Sequence, residues 1–204
     1  MDMVEMKVDA PTALAISYLL QEGFRVYGDV NLSVRAVLRN VAGLDDEFID
    51  RRLSTIFLNG KCVDDIDSAI VTDGSVLALS SAMPGLVGSS LRRGGMYRSL
   101  RSGVTFRADG EAGTKTTGSV EIRLFNSVIP SLGSLFLERG VVIDRGALLM
   151  FLGMRSRRFW EGCRAILVNG KPVMKEDLTD SALWSGNDVT VTVTEVLREP
   201  SAAI

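Results

Sequence analysis

Arg92, Arg93, Arg98, Arg101 and Arg107 fall within a stretch, Gly74 to Ala108, that contains no acidic residue. The whole chain has a formal charge of only −2, so this is a local basic belt and not a property of the protein at large. Guanidinium groups at this density suit an anion or an acidic partner. Tyr97 and Phe106 could stack there, and the nearby glycines allow close backbone approach. The competing reading pairs the arginines with the chain's own acids Asp45, Asp46, Glu47 and Asp50. Little other chemistry is on offer. The 204 residues include no histidine and two cysteines, Cys62 and Cys163, with no C-x-x-C spacing, which argues against zinc or redox sites. Cys62 follows an Asn-Gly-Lys turn and could be a nucleophile beside Lys61, but a small apolar strand residue is the simpler reading. Cys163 reads as a structural strand residue. Asp64, Asp65 and Asp67 lack the spaced ligands of a calcium loop and read as solvated. Trp160, beside Phe159 and among arginines, is a candidate contact point for a partner. No catalytic residue, cofactor or metal is expected.

The elements that must position these groups occur twice, about 110 residues apart. TIFLNGKCV (Thr55 to Val63) is echoed by AILVNGKPV (Ala165 to Val173), a strand, a tight turn and a strand in each case. Upstream lie the alternating strands VEMKV (Val4 to Val8) and VEIRL (Val120 to Leu124). Downstream, TDGSVLAL and SGNDVTVTV each pass through a glycine turn into a final strand. In the first copy a short helix is expected around Pro11 to Gly23, then a strand over Phe24 to Leu32. Ser33 caps a helix buried through Val34, Val37, Leu38 and Val41, and Leu44 to Arg52 is read as mostly solvated connection. In the second copy Ser134 to Ile143 is read as extended. Asp144 then caps a helix with Leu148, Leu149, Phe151 and Leu152 inside, and Arg155, Arg157 and Arg158 sit at its C-terminal end.

These readings give an α+β chain of two similar domains, residues 1–82 and 119–204, joined by a Gly/Arg-rich segment, residues 83–118. That segment is too long for an ordinary connection. It also carries Met83, Leu86, Val87, Leu91, Met96, Tyr97, Leu100, Val104 and Phe106, too much apolar surface for a free tether. An ordered element is therefore expected, with its apolar side chains packed and its arginines exposed. No apolar stretch approaches the roughly 20 residues of a membrane span, and the N-terminus has no secretory pattern. A cytoplasmic location away from membranes follows as the expectation.

The ordered run VEIRLFNSVIPSLG, ILVNGKPV and LWSGNDVTVTV resembles the ubiquitin-like β-grasp proteins, and among them the small sulfur carriers of molybdopterin and thiamine biosynthesis. The resemblance implies two tandem β-grasp domains, each a mixed sheet packed on one main helix. Such carriers work through a C-terminal Gly-Gly, whereas this chain ends LREPSAAI, with β-branched Ile204 last. LRRGG (Leu91 to Gly95) looks like the tail of ubiquitin, and cleavage after Gly95 would expose such an end; a turn between two short segments is the plainer reading. The resemblance therefore implies a non-catalytic protein-interaction or scaffold module with a protein partner. Its site would be Arg92, Arg93, Arg98, Arg101, Arg107 and Tyr97. An anion- or nucleic-acid-binding role for the belt, or a carrier processed at Gly95, are the alternatives.

Overall fold

The computed structural model describes residues 1–106 and 113–196, without the side chains of Arg98 and Ser102. In chain order the elements are β1 (Asp2–Val8), α1 (Ala10–Ser17), β2 (Phe24–Val30), β3 (Leu32–Ser33), α2 (Val34–Asn40), α3 (Asp46–Arg52), β4 (Thr55–Leu58), β5 (Lys61–Cys62), β6 (Ile70–Val71) and β7 (Ser75–Ser80). After them come α4 (Gly85–Leu91), a 3₁₀ segment (Arg98–Val104), β8 (Thr116–Phe125), α5 (Val128–Arg139), β9 (Val141–Asp144), α6 (Arg145–Gly153), α7 (Arg157–Gly162), β10 (Cys163–Val168), β11 (Lys171–Pro172) and β12 (Asp188–Glu195). The chain is mixed α and β. It divides into a terminal unit, Met1–Phe24 with Leu132–Ile204, and a central unit, Arg25–Ser131.

Both Asn-Gly hairpins form where the repeat places them. Asn59 and Asn169 have φ of 51° and 53°, and Gly60 and Gly170 follow at 77° and 76°. Two successive positive φ values are what a two-residue hairpin turn demands, and Asn-Gly tolerates them best. Ser33 accepts a hydrogen bond from the Ala36 amide and Asp144 one from the Ala147 amide, so both helix caps stand as expected. Val34, Val37 and Leu38 are fully buried, as are Leu148, Phe151 and Leu152, while Val41 and Leu149 are half-buried.

Two segments differ from expectation. Residues 128–139 form the helix α5, and of the expected strand Ser134 to Ile143 only residues 141–143 are extended, as part of β9. Val128, Ile129, Leu132, Phe136 and Leu137 make a buried helical stripe. Pro130 is tolerated because it lies in the first turn, where its missing N–H has no partner to lose. The stretch read as solvated connection holds α3, capped by Asp45 through the Phe48 amide, with Ile49 and Leu53 fully buried. Each repeat therefore has a helix between its first and second strands and two helices before its hairpin.

The compact units do not follow the boundaries 1–82 and 119–204. In the central unit the sheet order is β2-β8-β7-β4-β5, with β7 parallel to β8 and antiparallel to β4. Strand β8 is the first strand of the second repeat. In the terminal unit the order is β9-β12-β1-β10-β11, with β1 parallel to β12 and antiparallel to β10. There the first strand of the first repeat is built in. The slot beside the hairpin is held by β7 in one unit and β1 in the other, with the same clasp. The Asn59 amide donates to the Val76 carbonyl while its side chain accepts from the Val76 amide, and Asn169 does the same with Met3. The two central slots are thus filled by last and first strands in opposite order, and the repeat symmetry stops there.

Candidate interaction surface

Parallel neighbours need a crossover of a dozen or more residues, and the segment between β7 and β8 supplies it. Its middle is fastened to the β4/β5 hairpin and α3 by polar groups. The Phe106 amide donates to the Cys62 carbonyl, and the Cys62 thiol to the Leu91 carbonyl at 3.0 Å. Gly94, at φ 63°, donates its amide to Asp64 Oδ1 at 3.0 Å, and the Gly95 amide closes a turn onto the Arg92 carbonyl. LRRGG is therefore a turn between α4 and the 3₁₀ segment.

Two arginines of this segment, Arg93 and Arg101, turn inward where exposure was expected. Arg101 is 4% exposed. Its Nη2 meets Asp64 Oδ1 at 2.6 Å, and its Nε donates to the Ser90 carbonyl at 2.5 Å. Arg93 donates through Nη2 to the Ile49 carbonyl and to Asp50 Oδ1, both at 3.3 Å. Asp50 is shared with Arg35, which also bonds Asp67 at 2.7 Å and Asp46 at 3.2 Å. Hydrogen bonding from Arg35 above all, and then the charges of Arg35 and Arg93, hold the Asp50 carboxyl below its ordinary range against the opposing effect of burial. Arg92 is exposed, Tyr97 is exposed, Phe106 is half-buried, and Arg107 lies outside the described residues, as does the side chain of Arg98. While Met83 and Leu91 are half-buried like Phe106, several apolar side chains of the segment face out. Met96 is 89% and Val87 72% exposed, and Leu86, Leu100 and Val104 are exposed with them. The physical reason is reach. A guanidinium fork can satisfy three acceptors under a short irregular segment, and carbonyls such as that of Ser90 would otherwise be buried unpaired.

Elsewhere the inventory is structural. Cys62 is fully buried, and desolvation pushes its thiol above the ordinary value although Arg101 pulls the other way. That makes a poor nucleophile. Cys163 is half-buried with its thiol likewise raised by burial. Asp64, Asp65 and Asp67, read as solvated, hold Arg101, the Asp67 and Ser68 amides, and Arg35 respectively. Among the described residues no group of three or more His, Cys, Asp or Glu side chains could hold a metal ion. Arg155, near the C-terminal end of α6, donates to the Phe151 carbonyl, whereas Arg157 and Arg158 open α7. Phe159 is buried. Trp160 is half-buried and lines a cavity of about 350 Å³ in the terminal unit together with Leu149, Leu152, Arg155 and Lys175. Among the described residues no helix is long and apolar enough to cross a membrane. Comparison with protein-family models, with curated proteins and with solved structures gave no match.

Proposed function

We infer that this chain is a non-catalytic protein-interaction module of ubiquitin-like, sulfur-carrier-like descent, built from a duplicated β-grasp pattern. The duplicated Asn-Gly hairpins, the capped helix ahead of each and the mixed sheets support the descent. Helices α1 and α5, and the exchange of first strands, are its departures from the pattern. The single observation that carries the function is the inside-out crossover: Arg93 and Arg101 are spent on internal acids while Leu86, Val87, Met96, Leu100 and Val104 face solvent. A folded segment fastened by its charges and covered with apolar side chains is a docking ridge, because exposing that surface has a cost a partner removes. Arg93 and Arg101 add no free charge to this surface, so the matching partner surface is mainly apolar, with Arg92 the exposed arginine among the described side chains of the segment. The sulfur-carrier alternative needs cleavage after Gly95 and a free Gly-Gly end, whereas the Gly94 amide is bonded to Asp64 and the Gly95 amide to the Arg92 carbonyl.

A photoreactive side chain at Met96 tests this in cells that express the chain. A discrete adduct is expected, and the exposed double substitution Val87→Glu with Leu100→Glu should abolish it without lowering the unfolding midpoint. An adduct pattern unchanged by the double variant, or identical to that from a probe at Arg158, overturns the ridge. A covalent mass of two copies would identify the partner as a second molecule of the chain.

A further inference from the structure

A cleft of about 280 Å³ in the central unit gathers cations that are distant in sequence. Arg51 and Arg52 come from the end of α3, Arg92 from the turn after α4, and Ser81, Ser127 and Ser131 from the end of β7 and the start of α5. Among the described residues no carboxylate lines it. Arg51 is engaged by Glu47 at 2.9 Å across one turn of α3, a well-exposed pair that a stronger anion can reorganise. Arg52 and Arg92 are exposed. The Ser127 hydroxyl is hydrogen-bonded to that of Ser81 at 2.8 Å, and the Ser131 hydroxyl donates to the Ser127 carbonyl. Because Ser127 donates to Ser81, the Ser81 hydroxyl keeps its own proton for a bound oxygen. The first turn of the 12-residue helix α5 forms one wall, so its amide end adds to the positive potential. Phe48 and Val128 provide an apolar flank.

We propose that this cleft binds a phosphate monoester, with Arg52 and Arg92 clamping the phosphoryl oxygens, Ser81, oriented by Ser127, donating to them, and the organic group resting against Phe48. Forked guanidiniums match phosphoryl oxygens two at a time, and hydroxyls fill the remaining lone pairs. Three cations around one concavity suit a dianion better than a lone carboxylate. The site is independent of the docking ridge, which can fail its test while the cleft passes.

The test is titration of the full chain with phenyl phosphate and, separately, with inorganic phosphate, in a phosphate-free buffer of low ionic strength, followed by calorimetry and by amide shifts at Ser81 and Ser127. Saturable binding of phenyl phosphate is expected, several-fold tighter than inorganic phosphate and weakened by salt. Arg52→Gln and Arg92→Gln should each weaken it about tenfold or more, and Arg158→Gln, in the other unit, should leave it unchanged. Circular dichroism of the variants separates lost binding from lost fold. Equal affinity for the two probes would assign the free anion in place of the ester. No saturation by either probe at about 10 mM, or equal binding by the Arg52 and Arg92 variants and wild type, overturns the site.

Discussion

Asp2 shows how much one side chain can hold at the start of a central strand. It is 3% exposed and accepts from the Ser185 amide at 2.8 Å, the Gly186 amide at 3.3 Å, the Ser185 hydroxyl at 2.8 Å and the Asn169 side-chain amide at 3.1 Å. Burial pushes its carboxyl upward, but the four donors outweigh burial and bring it down to about 2. A carboxyl that is more acidic folded than unfolded stabilises the protein above its unfolded value, near 4, and loses that contribution as pH falls from about 4 to about 2. Asp2→Asn should therefore destabilise the terminal unit by about 1 to 3 kcal/mol at neutral pH, because buried amides lose an ionised acceptor. It should also flatten the acid limb of the stability profile. Denaturant unfolding at pH 7, 4 and 2.5 checks both, and parallel profiles for variant and wild type would contradict the assignment.

At the scale of elements, β1 decides whether the terminal sheet exists. It fills the slot between β12 and β10, and Val4, Met6 and Val8 bury their side chains there almost completely. Removing it withdraws roughly 1.5 to 3 kcal/mol of burial per side chain and leaves two strands with unpaired edges. Deleting residues 1–8 should melt the terminal unit, read as loss of amide protection in β10 and β12 while β4 and β7 stay protected. The peptide MDMVEMKVDA added in trans should restore that protection. Undiminished protection in β10 after the deletion would show that β1 is dispensable.

For the molecule as a whole, the exchange of first strands makes the repeats the wrong places to cut. Residues 25–131 contain every strand of the central sheet, including β8, whereas residues 1–82 contain β7 without its parallel neighbour. The fragment 25–131 should unfold cooperatively, and the fragment 1–82 should remain loosely structured, exposing the β7 edge that β8 covers. Size-exclusion and thermal unfolding of the two fragments distinguish them, and a cooperative 1–82 would mean that the exchange is not needed for folding.

The features legible in the chain are those decided within a few residues. The Asn-Gly turns, the caps at Ser33 and Asp144, the alternation of VEMKV and VEIRL and the order of the central crossover all depend on φ preferences, capping distances and side-chain periodicity. The helix α5 was obscured by Pro130 and Gly133, and α3 by its charged surface, since a buried stripe of Ile49 and Leu53 is too sparse to read in one dimension. Which sheet each first strand joins could not be read at all. Val4, Met6 and Val8 present the same kind of apolar face as Val120, Ile122 and Leu124, so either strand satisfies either slot locally, and the choice falls to long-range contacts such as Asp2 with Ser185. The inward turn of Arg93 and Arg101, and the meeting of Arg52 with Arg92 beside Ser127, are likewise tertiary: their partners lie tens of residues away, and charge pairing is chosen only once the backbone has placed an acid or a cleft within reach.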